Sequence, residues 1–366
     1  MKLTVLSHNL SSNAVMRAHR LASAAATFST VELIGPVEDA GQWPALPNDV
    51  AMRTVPKRRF PEAAAALLEL AGAAGGDVLL AVKPCLASFG IALAVGERRA
   101  VPVVLDLDDL EQALAPRSKW QAHPSMADLR RPGSAVYTSL LLRASGAAAG
   151  VTVASSALQN RFGGVLVPHG ADTELFDPAH IDREAARQTF GFEGPTVVFA
   201  GTPRGHKGVR ELAEAVGLVP RARLAVLARA TDLAGPEWKR LDPVKLPLLP
   251  YEQLPCLLAA ADVVAIPQLD TDAARHQMPM KVFDAMAMGR PIVATAVSDL
   301  PEVLDGCGTL VPPGEVEPLA QAIRELLDDP AEAAALGERA RRRCIERYAL
   351  PRIGDRLREA ITAAAR

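Results

Sequence analysis

The chain has 366 residues, of which 49% are hydrophobic, 22% charged and 4% aromatic. This length and apolar content exclude disorder and predict a soluble globular protein of two domains, because one hydrophobic core rarely grows past about 250–300 residues. The formal net charge of −2 provides no global positive field that would attract nucleic acid. We therefore expect no nucleic-acid partner.

Short apolar runs alternate with amphipathic helical stretches along the first half of the chain. Strands are predicted at residues 2–7, 30–35, 77–82, 102–106, 151–154 and 165–167. Helices are predicted between them at about residues 13–26, 61–73, 86–99 and 134–148. This alternation indicates right-handed crossovers and a mostly parallel sheet with helices on both faces.

The second half repeats the pattern. Strands are predicted at residues 195–200, 222–227, 244–249, 263–266, 291–294 and 308–311, with a helix from about Lys207. Residues 168–178, between the halves, are rich in turn formers and predict a linker. We therefore predict two doubly wound α/β domains, residues 1–170 and 171–349, facing a cleft, with ligands beyond the carboxyl ends of the strands.

The four cysteines are far apart and form no C-x-x-C pair, so neither a zinc site nor a disulfide framework is predicted; they are Cys85, Cys256, Cys307 and Cys344. We expect them to be buried as small hydrophobic residues. The first seven residues resemble a strand rather than a signal peptide, and Arg143 interrupts the most apolar stretch, residues 134–151. These features predict a cytoplasmic, reduced protein.

Charge is divided unequally between the halves. Residues 1–170 hold 16 Lys and Arg against 13 Asp and Glu, and the rest of the chain holds 24 against 29. This asymmetry slightly favours an anionic or membrane-surface partner for the first domain. Basic and aromatic residues at 57–60 and 117–131 would suit peripheral membrane contact, but a solvated basic edge is the interpretation that we favour.

Residues 199–209 form the first segment with functional chemistry. A turn containing Gly201 and Thr202 follows a strand, and Arg204 and Lys207 stand near the start of a helix. Free N–H groups and the partial positive charge of a helix N-terminus, together with two cations, suit a diphosphate. The segment departs from a P-loop, so a Mg²⁺-dependent NTPase is not expected. An ordinary strand–turn–helix with surface cations is the alternative.

Residues 266–293 form the second such segment. A polar loop of about ten residues leads from a buried strand into a helix that ends at Gly289. Asp284, one turn into this helix, supplies a carboxylate that suits a ribose diol. An exposed aspartate favoured by the helix dipole is the alternative.

Together these two segments resemble the nucleotide-sugar half of GT-B glycosyltransferases, specifically glycosyltransferase family 4. The resemblance rests on Gly201 with Lys207-Gly208 and on the run 284–293, and it covers residues 164–348. It implies two Rossmann-like domains facing a cleft, with the last helix, residues 350–366, crossing back onto the first domain after Pro351. The donor contacts that it implies are Gly201, Thr202, Tyr251, Leu254, His276, Met280, Lys281, Val282 and Asp284.

The first domain matches the family more loosely. The loop that follows the first strand carries the expected acceptor-side residues Asn9, Ser11, Ser12 and Asn13, for which a helix N-cap is the alternative. Asp108 takes the place of a family histidine near the reacting sugar, and His276 takes that of the first glutamate of a Glu-x₇-Glu segment. Thr202 takes the place of a family arginine, for which Arg204 is a substitute.

The resemblance implies retaining transfer of a hexosyl group from a UDP-, GDP- or dTDP-sugar to a hydroxyl of a small-molecule, glycan or lipid-linked acceptor, without metal or other cofactor. Arg204, Lys207 and helix N–H groups near Lys281 would stabilise the departing diphosphate. Asp108 would assist the acceptor hydroxyl or balance charge on the sugar.

Three alternatives stay open from the sequence. Asp106, Asp108 and Asp109 could bind a divalent cation, or serve as caps and turn residues. The protein could bind a nucleotide sugar without turnover, because of the residues at positions 108 and 276. A P-loop phosphotransferase is the third.

Overall fold

The structure is a computed structural model that describes residues 1–111, 126–229, 232, 233 and 235–365. The chain divides into an N-terminal unit, Met1–His169 with Leu350–Arg366, and a C-terminal unit, Gly170–Ala349. Each unit has its own parallel sheet and its own hydrophobic core.

The sheet of the N-terminal unit has seven strands: β1 (Lys2–Ser7), β2 (Thr30–Val37), β3 (Ala51–Pro56), β4 (Val78–Val82), β5 (Val103–Leu107), β6 (Gly150–Val153) and β7 (Val165–Leu166). They are ordered β3-β2-β1-β4-β5-β6-β7, and all neighbours pair in parallel. Every residue of β4 and β5 is buried, as expected for continuous apolar runs in a sheet covered on both faces.

The strand β3 was not predicted from the sequence. It lies at the edge of the sheet, and only Val55 of its six residues is buried. A half-exposed edge strand that ends in a proline carries little apolar signal.

The helices described before residue 170 are α1 (Val15–Ala26), α2 (Ala63–Ala73), α3 (Ile91–Arg99), α4 (Met126–Leu129), α5 (Ala135–Arg143) and α6 (Ser156–Phe162). A π-helical segment, Leu86–Gly90, precedes α3. The helix predicted over 86–99 is therefore a π-helical turn followed by an α-helix. Most of the segment at 117–131, including Lys119 and Trp120, lies outside the described residues.

The C-terminal unit has six strands: β8 (Thr196–Phe199), β9 (Arg223–Leu227), β10 (Val244–Leu246), β11 (Val263–Ile266), β12 (Ile292–Thr295) and β13 (Thr309–Val311). They are ordered β10-β9-β8-β11-β12-β13, again parallel throughout. Its helices are α7 (Arg183–Phe190), α8 (Val209–Gly217), α9 (Pro236–Leu241), α10 (Leu254–Ala260), α11 (Asp272–His276), α12 (Lys281–Ala287), α13 (Leu300–Val303), α14 (Val316–Asp328) and α15 (Pro330–Arg347).

The segment predicted as a linker, residues 168–178, is packed rather than free. Ala171 and Phe176 are fully buried, and the Ala171 N–H donates to the Tyr348 carbonyl at 2.8 Å. The Arg341 guanidinium donates to the Phe176 carbonyl at 3.0 Å. Turn-forming residues here therefore shape a fixed path through the C-terminal unit.

The last helix, α16 (Leu350–Ala364), belongs to the N-terminal unit. It begins next to Pro351, and its Ile353, Leu357 and Ile361 are fully buried in the core that includes α1. At Gly354 a Cβ would lie 2.6 Å from the Ala24 carbonyl oxygen, so the small residue lets the helices approach closely. The predicted return of the chain is confirmed.

Two doubly wound, all-parallel α/β sheets confirm the predicted fold class. Three of the four free cysteines are buried, and Cys256 is half-buried. In the described parts of the chain, no helix has both the length and the apolar content needed to cross a membrane.

Candidate functional site

The loop after β8 is shaped by a close approach at Gly208. This residue has a φ of +61°, and a Cβ there would collide with the carbonyl oxygen of Pro267. A single 3₁₀ turn, Gly205–Lys207, comes first, so α8 starts at Val209 rather than at Lys207 as predicted. Glycine is required here because other residues rarely adopt this backbone and have no room for a side chain.

Hydrogen bonds join this loop to the loop that follows β11. The Leu269 N–H donates to the His206 carbonyl at 2.9 Å, and His206 Nε2 lies 3.3 Å from Gln277 Oε1. From β12, the Thr295 hydroxyl donates to the Gln268 carbonyl at 2.7 Å. The carboxyl ends of β8, β11 and β12 are therefore cross-linked, and this edge is where open α/β sheets bind ligands.

Lys281 brings a buried amine to the same edge. Its Nζ lies 3.2 Å from the centroid of the Phe199 ring and 3.3 Å from the position of a Cβ built on Gly201. Among the described residues this Nζ has no hydrogen-bond partner. Burial, and then the charge of Lys207, holds the pKa of Lys281 well below its usual range. Gly201, Lys207 and Lys281 thus gather at one place.

The other predicted donor residues on the β11 loop and α12 differ in what they offer. Asp284 lies one turn after Lys281 and is 7% exposed. Met280 precedes the helix and is half-buried. The side chain of Val282 is fully buried, and its N–H donates to the Pro279 carbonyl at 3.2 Å. His276 Nδ1 lies 2.8 Å from the carbonyl oxygen of Asp272, at the end of α11.

Tyr251, Leu254 and Arg204 lie in different surroundings. The Tyr251 ring is buried and packs edge-on against Phe176, with ring centroids 5.4 Å apart. Leu254 is half-buried at the start of α10. Arg204 is exposed, and its charge helps to lower the pKa of Asp232. Thr202 is half-buried in the loop after β8. The cation whose charge reaches Lys281 is therefore Lys207 rather than Arg204.

In the N-terminal unit, Asp106 is part of a buried ion pair. Its Oδ1 accepts from Arg17 Nη2 at 2.7 Å and from the Thr152 hydroxyl at 2.7 Å, and its Oδ2 accepts from Arg17 Nε at 2.9 Å. Arg17 also donates to the carbonyls of Val167 and Pro168. These bonds give Asp106 a structural role inside the sheet.

Asp108 and Asp109 surround a buried lysine instead. Lys83 Nζ lies 2.9 Å from Asp108 Oδ1 and 2.7 Å from Asp109 Oδ2, and it also contacts Glu111. Lys83 has a φ of +71°, an unusual conformation for a non-glycine residue that often accompanies functional sites. Its carbonyl accepts from the Ser88 hydroxyl at 2.7 Å, which helps to hold this backbone in place.

The charges in this cluster are unusual. Burial opposes the charge of Lys83, but the three carboxylates outweigh it and raise the pKa of Lys83 well above its usual range. Burial raises the pKa of Asp108 to about 7 against the attraction of Lys83, and Asp109 acts in the same direction as burial. Asp108 therefore changes protonation near neutral pH.

These contacts test the alternative in which Asp106, Asp108 and Asp109 bind a divalent cation. Asp108, Asp109 and Glu111 each place a carboxylate oxygen within 4.8 Å of the others, but Asp106 is committed to Arg17. The Lys83 ammonium contacts all three carboxylates. We assign the cluster to this ammonium, because it already supplies the positive charge that the carboxylates need.

The predicted acceptor-side loop, which follows β1, is hydrogen-bonded to the residue that follows β2. The Asn9 amide donates to Glu38 at 3.2 Å, and the Ser11 hydroxyl accepts from the Glu38 N–H at 2.7 Å. Ser12 and Asn13 come before α1, but the residue directly preceding this helix is Ala14, whose side chain makes no capping bond.

Two residues near this loop were missed from the sequence as functional candidates: His8 and Lys83. Burial lowers the pKa of His8 to about 3, and the charges of Lys83 and Lys57 act in the same direction. Both residues directly follow a buried strand, β1 and β4, and this position was the available signal.

Part of the C-terminal unit matches a known protein family. Residues 194–329 match the family described as "Glycosyl transferases group 1". The MMP alpha-(1->4)-mannosyltransferase of Mycolicibacterium hassiacum is 34% identical over 193 residues, which are 50% of this chain and 44% of that protein. A GDP-mannose-dependent phosphatidylinositol monomannoside mannosyltransferase of Mycolicibacterium smegmatis is 31% identical over 216 residues, covering 54% of this chain and 55% of that protein. The chain thus spans about half the length of the curated relatives it matches.

The fold as a whole resembles solved GT-B structures. Anabaena HepE in complex with UDP-glucose matches with a TM-score of 0.74 and 18% identity, over 99% of this chain and all of that one. At this identity the match shows the fold alone. It confirms the predicted GT-B architecture.

Proposed function

We propose that the protein transfers a glycosyl group from a nucleotide-diphosphate sugar to an acceptor hydroxyl, because residues 194–329 match the glycosyl transferases group 1 family. The observation that carries this proposal is the gathering of Gly201, Lys207 and Lys281 where the loops after β8 and β11 are bonded together. These loops lie inside the matched residues.

The cations suit the chemistry of the leaving group. As the anomeric carbon loses its diphosphate, negative charge grows on the leaving oxygens, and fixed cations that are already in place lower the barrier. Lys207 and the buried Lys281 Nζ would stabilise this charge. Buried Asp284, one turn further along α12, would accept hydrogen bonds from the ribose hydroxyls.

The finer features of the reaction are part of the proposal. The transferred group would be a hexose, attacked on the same face that the diphosphate leaves, and the cations would replace a metal ion. The pKa of Asp108, near 7, would let this carboxyl exchange a proton with the acceptor hydroxyl. Relatives and neighbours are named with GDP-mannose and with UDP-glucose, so a uridine or a guanosine donor is expected.

Transfer is preferred to binding without turnover. The matched relatives with curated names are mannosyltransferases and other glycosyltransferases. Release of nucleoside diphosphate that depends on an added acceptor would establish transfer. A P-loop phosphotransferase would instead hydrolyse ATP with Mg²⁺.

The donor site is tested by binding of UDP and GDP to wild type and to Lys207→Ala. We expect one of these nucleotides to raise the melting temperature, and Lys207→Ala to weaken its affinity by about tenfold or more, since a charge-assisted hydrogen bond contributes about 1.5–3 kcal/mol. The control is Lys245→Ala, which removes an exposed lysine on the edge strand β10 of the same unit. The donor site is wrong if neither nucleotide binds or if Lys207→Ala binds as tightly as wild type.

A further inference from the structure

The N-terminal unit contains a pocket that no predicted site residue lines. Its cavity volume is about 160 Å³, which leaves room for a small ligand. It lies where β1, β2 and β3 end, beside the first half of α2. This is the sheet edge at which α/β proteins bind ligands.

The walls of the pocket are mainly apolar. Val55 comes from β3, Ala66 and Leu67 from α2, and Ala87 from the π-helical segment after β4. Cys85 adds a buried thiol, and burial raises its pKa to about 12, so it stays protonated at neutral pH. A ligand must therefore bring an apolar group to cover these walls.

Two cations also line the pocket, and no acidic residue does so among the described lining residues. Lys57 Nζ donates to Glu38 at 2.6 Å, and Arg58 Nη1 donates to Asp39 at 2.8 Å. These carboxylates hold the cations but are not part of the lining. An ammonium has three N–H donors and a guanidinium five, so both cations keep donors for a further anion.

His8 completes the lining with an uncharged imidazole. Its pKa of about 3 keeps it neutral at physiological pH; burial is the main cause, and Lys83 and Lys57 act in the same direction against Asp109. Its Nδ1 is buried and has no hydrogen-bond partner within the part of the chain that is described. A neutral ring can donate from one nitrogen and accept at the other, which suits a hydroxyl group.

We propose that this pocket binds an amphiphilic anion, an apolar group joined to a phosphate or carboxylate, with the anionic group at Lys57 and Arg58. If the protein is a glycosyltransferase as proposed above, this molecule is the acceptor, and His8 faces one of its hydroxyl groups. The shared chemistry fits a soluble metabolite and a lipid head group alike.

The test measures binding of hexyl phosphate by titration calorimetry, with inorganic phosphate and hexanol as the two halves of the probe. We expect one saturable site for hexyl phosphate and much weaker binding of each half. Lys57→Met and Leu67→Asp should each weaken the binding by about tenfold or more, through a lost charge-assisted bond and an added repulsive charge. Lys57→Met changes a partly exposed side chain and should fold normally.

Two matched controls lie beside these positions. Leu68→Asp adds the same charge to the neighbouring residue of α2, which is 75% exposed and outside the pocket, and Arg53→Met removes an exposed cation from β3. Both should bind hexyl phosphate like wild type. Equal binding by Leu67→Asp and Leu68→Asp, or hexyl phosphate binding no tighter than phosphate, would overturn the proposal.

A second experiment distinguishes a lipid ligand from a soluble one. Wild type that pellets with vesicles of phosphatidylcholine and phosphatidic acid, less so after Lys57→Met, identifies a lipid; hexyl phosphate binding without pelleting identifies a soluble ligand. Either result supports the pocket. The titration with hexyl phosphate needs no nucleotide, so the two tests are independent. A protein that fails to bind hexyl phosphate can still bind UDP or GDP at Lys207, and a protein that fails to bind either nucleotide can still bind hexyl phosphate.

Discussion

In the described parts of the chain, Lys83 is buried near the carboxyl edge of the N-terminal sheet and Lys281 has a buried Nζ near that of the C-terminal sheet, and the surroundings of the two amines are opposite. Lys83 is surrounded by Asp108, Asp109 and Glu111, which keep it charged. Lys281 lies over the Phe199 ring without a hydrogen-bond partner among the described residues, and its pKa is lowered.

The difference separates a structural cation from one that is prepared for a ligand. A buried charge with matching carboxylates is already compensated, whereas a buried amine beside a second cation has a lowered pKa that an arriving anion would raise. The unpaired lysine therefore marks an anion site more clearly than the paired one does.

Removal of the paired lysine should have the largest effect. Lys83→Met leaves three carboxylates facing one another, and loss of one partner from a buried ion pair costs about 3–5 kcal/mol. We expect a loss of this size in the free energy of unfolding of the N-terminal unit, measured by urea denaturation. Lys281→Met replaces an uncompensated amine by an apolar side chain and should leave stability unchanged or raised. Equal destabilisation by the two variants would contradict the comparison.

The protonation of Asp108 should make the N-terminal unit sensitive to pH. Its pKa is raised from 3.8 to about 7, so between these values the folded state binds a proton that the unfolded state does not. Stability should therefore fall as pH rises from about 4 to about 7, by up to about 1.4 kcal/mol per pH unit.

The measurement is urea unfolding across this range for wild type and Asp108→Asn. The variant lacks the titrating group and should show a flatter profile. Asp355→Asn, which changes a half-exposed carboxylate on α16, should keep the wild-type slope. A slope unchanged in Asp108→Asn would assign the titration to another group.

The fold was predictable because buried parallel strands are continuous apolar runs. β1 and β11 have the predicted bounds, and both sheets were expected. The edge strand β3 was missed, because five of its six residues are not fully buried and it shows no apolar pattern. Apolar patterns in the sequence therefore indicate which strands are buried more than which residues favour a β-strand.

The candidate site was only partly predictable. Gly201 and Lys207 follow from local spacing along one loop, and the structure brings them to Lys281. The roles of Lys83 and the separation of Asp106 from Asp108 depend on contacts between distant segments. Lys83 lies 25 positions before Asp108, and nothing local in the sequence indicates that the two meet.

The smallest effect that we predict is a proton taken up when a nucleoside diphosphate binds. Among the described residues Lys281 Nζ has no hydrogen-bond partner, and the diphosphate would become its anionic partner. This partner would return the pKa of Lys281 towards the usual range. Between the lowered pKa of the free protein and the higher pKa of the complex, binding takes up at most one proton. Affinity should therefore fall, by at most about tenfold per pH unit, as pH rises through this window.

Calorimetry in two buffers of different ionisation enthalpy measures this uptake directly, for whichever of UDP or GDP binds. Titrations above pH 7 exclude the terminal phosphate, whose own pKa is about 6. Lys281→Met should bind more weakly and abolish the buffer dependence, whereas Lys245→Ala should retain it. Uptake that persists in Lys281→Met would show that another group takes the proton, and the contrast between the paired and the unpaired lysine would then have no part in nucleotide binding.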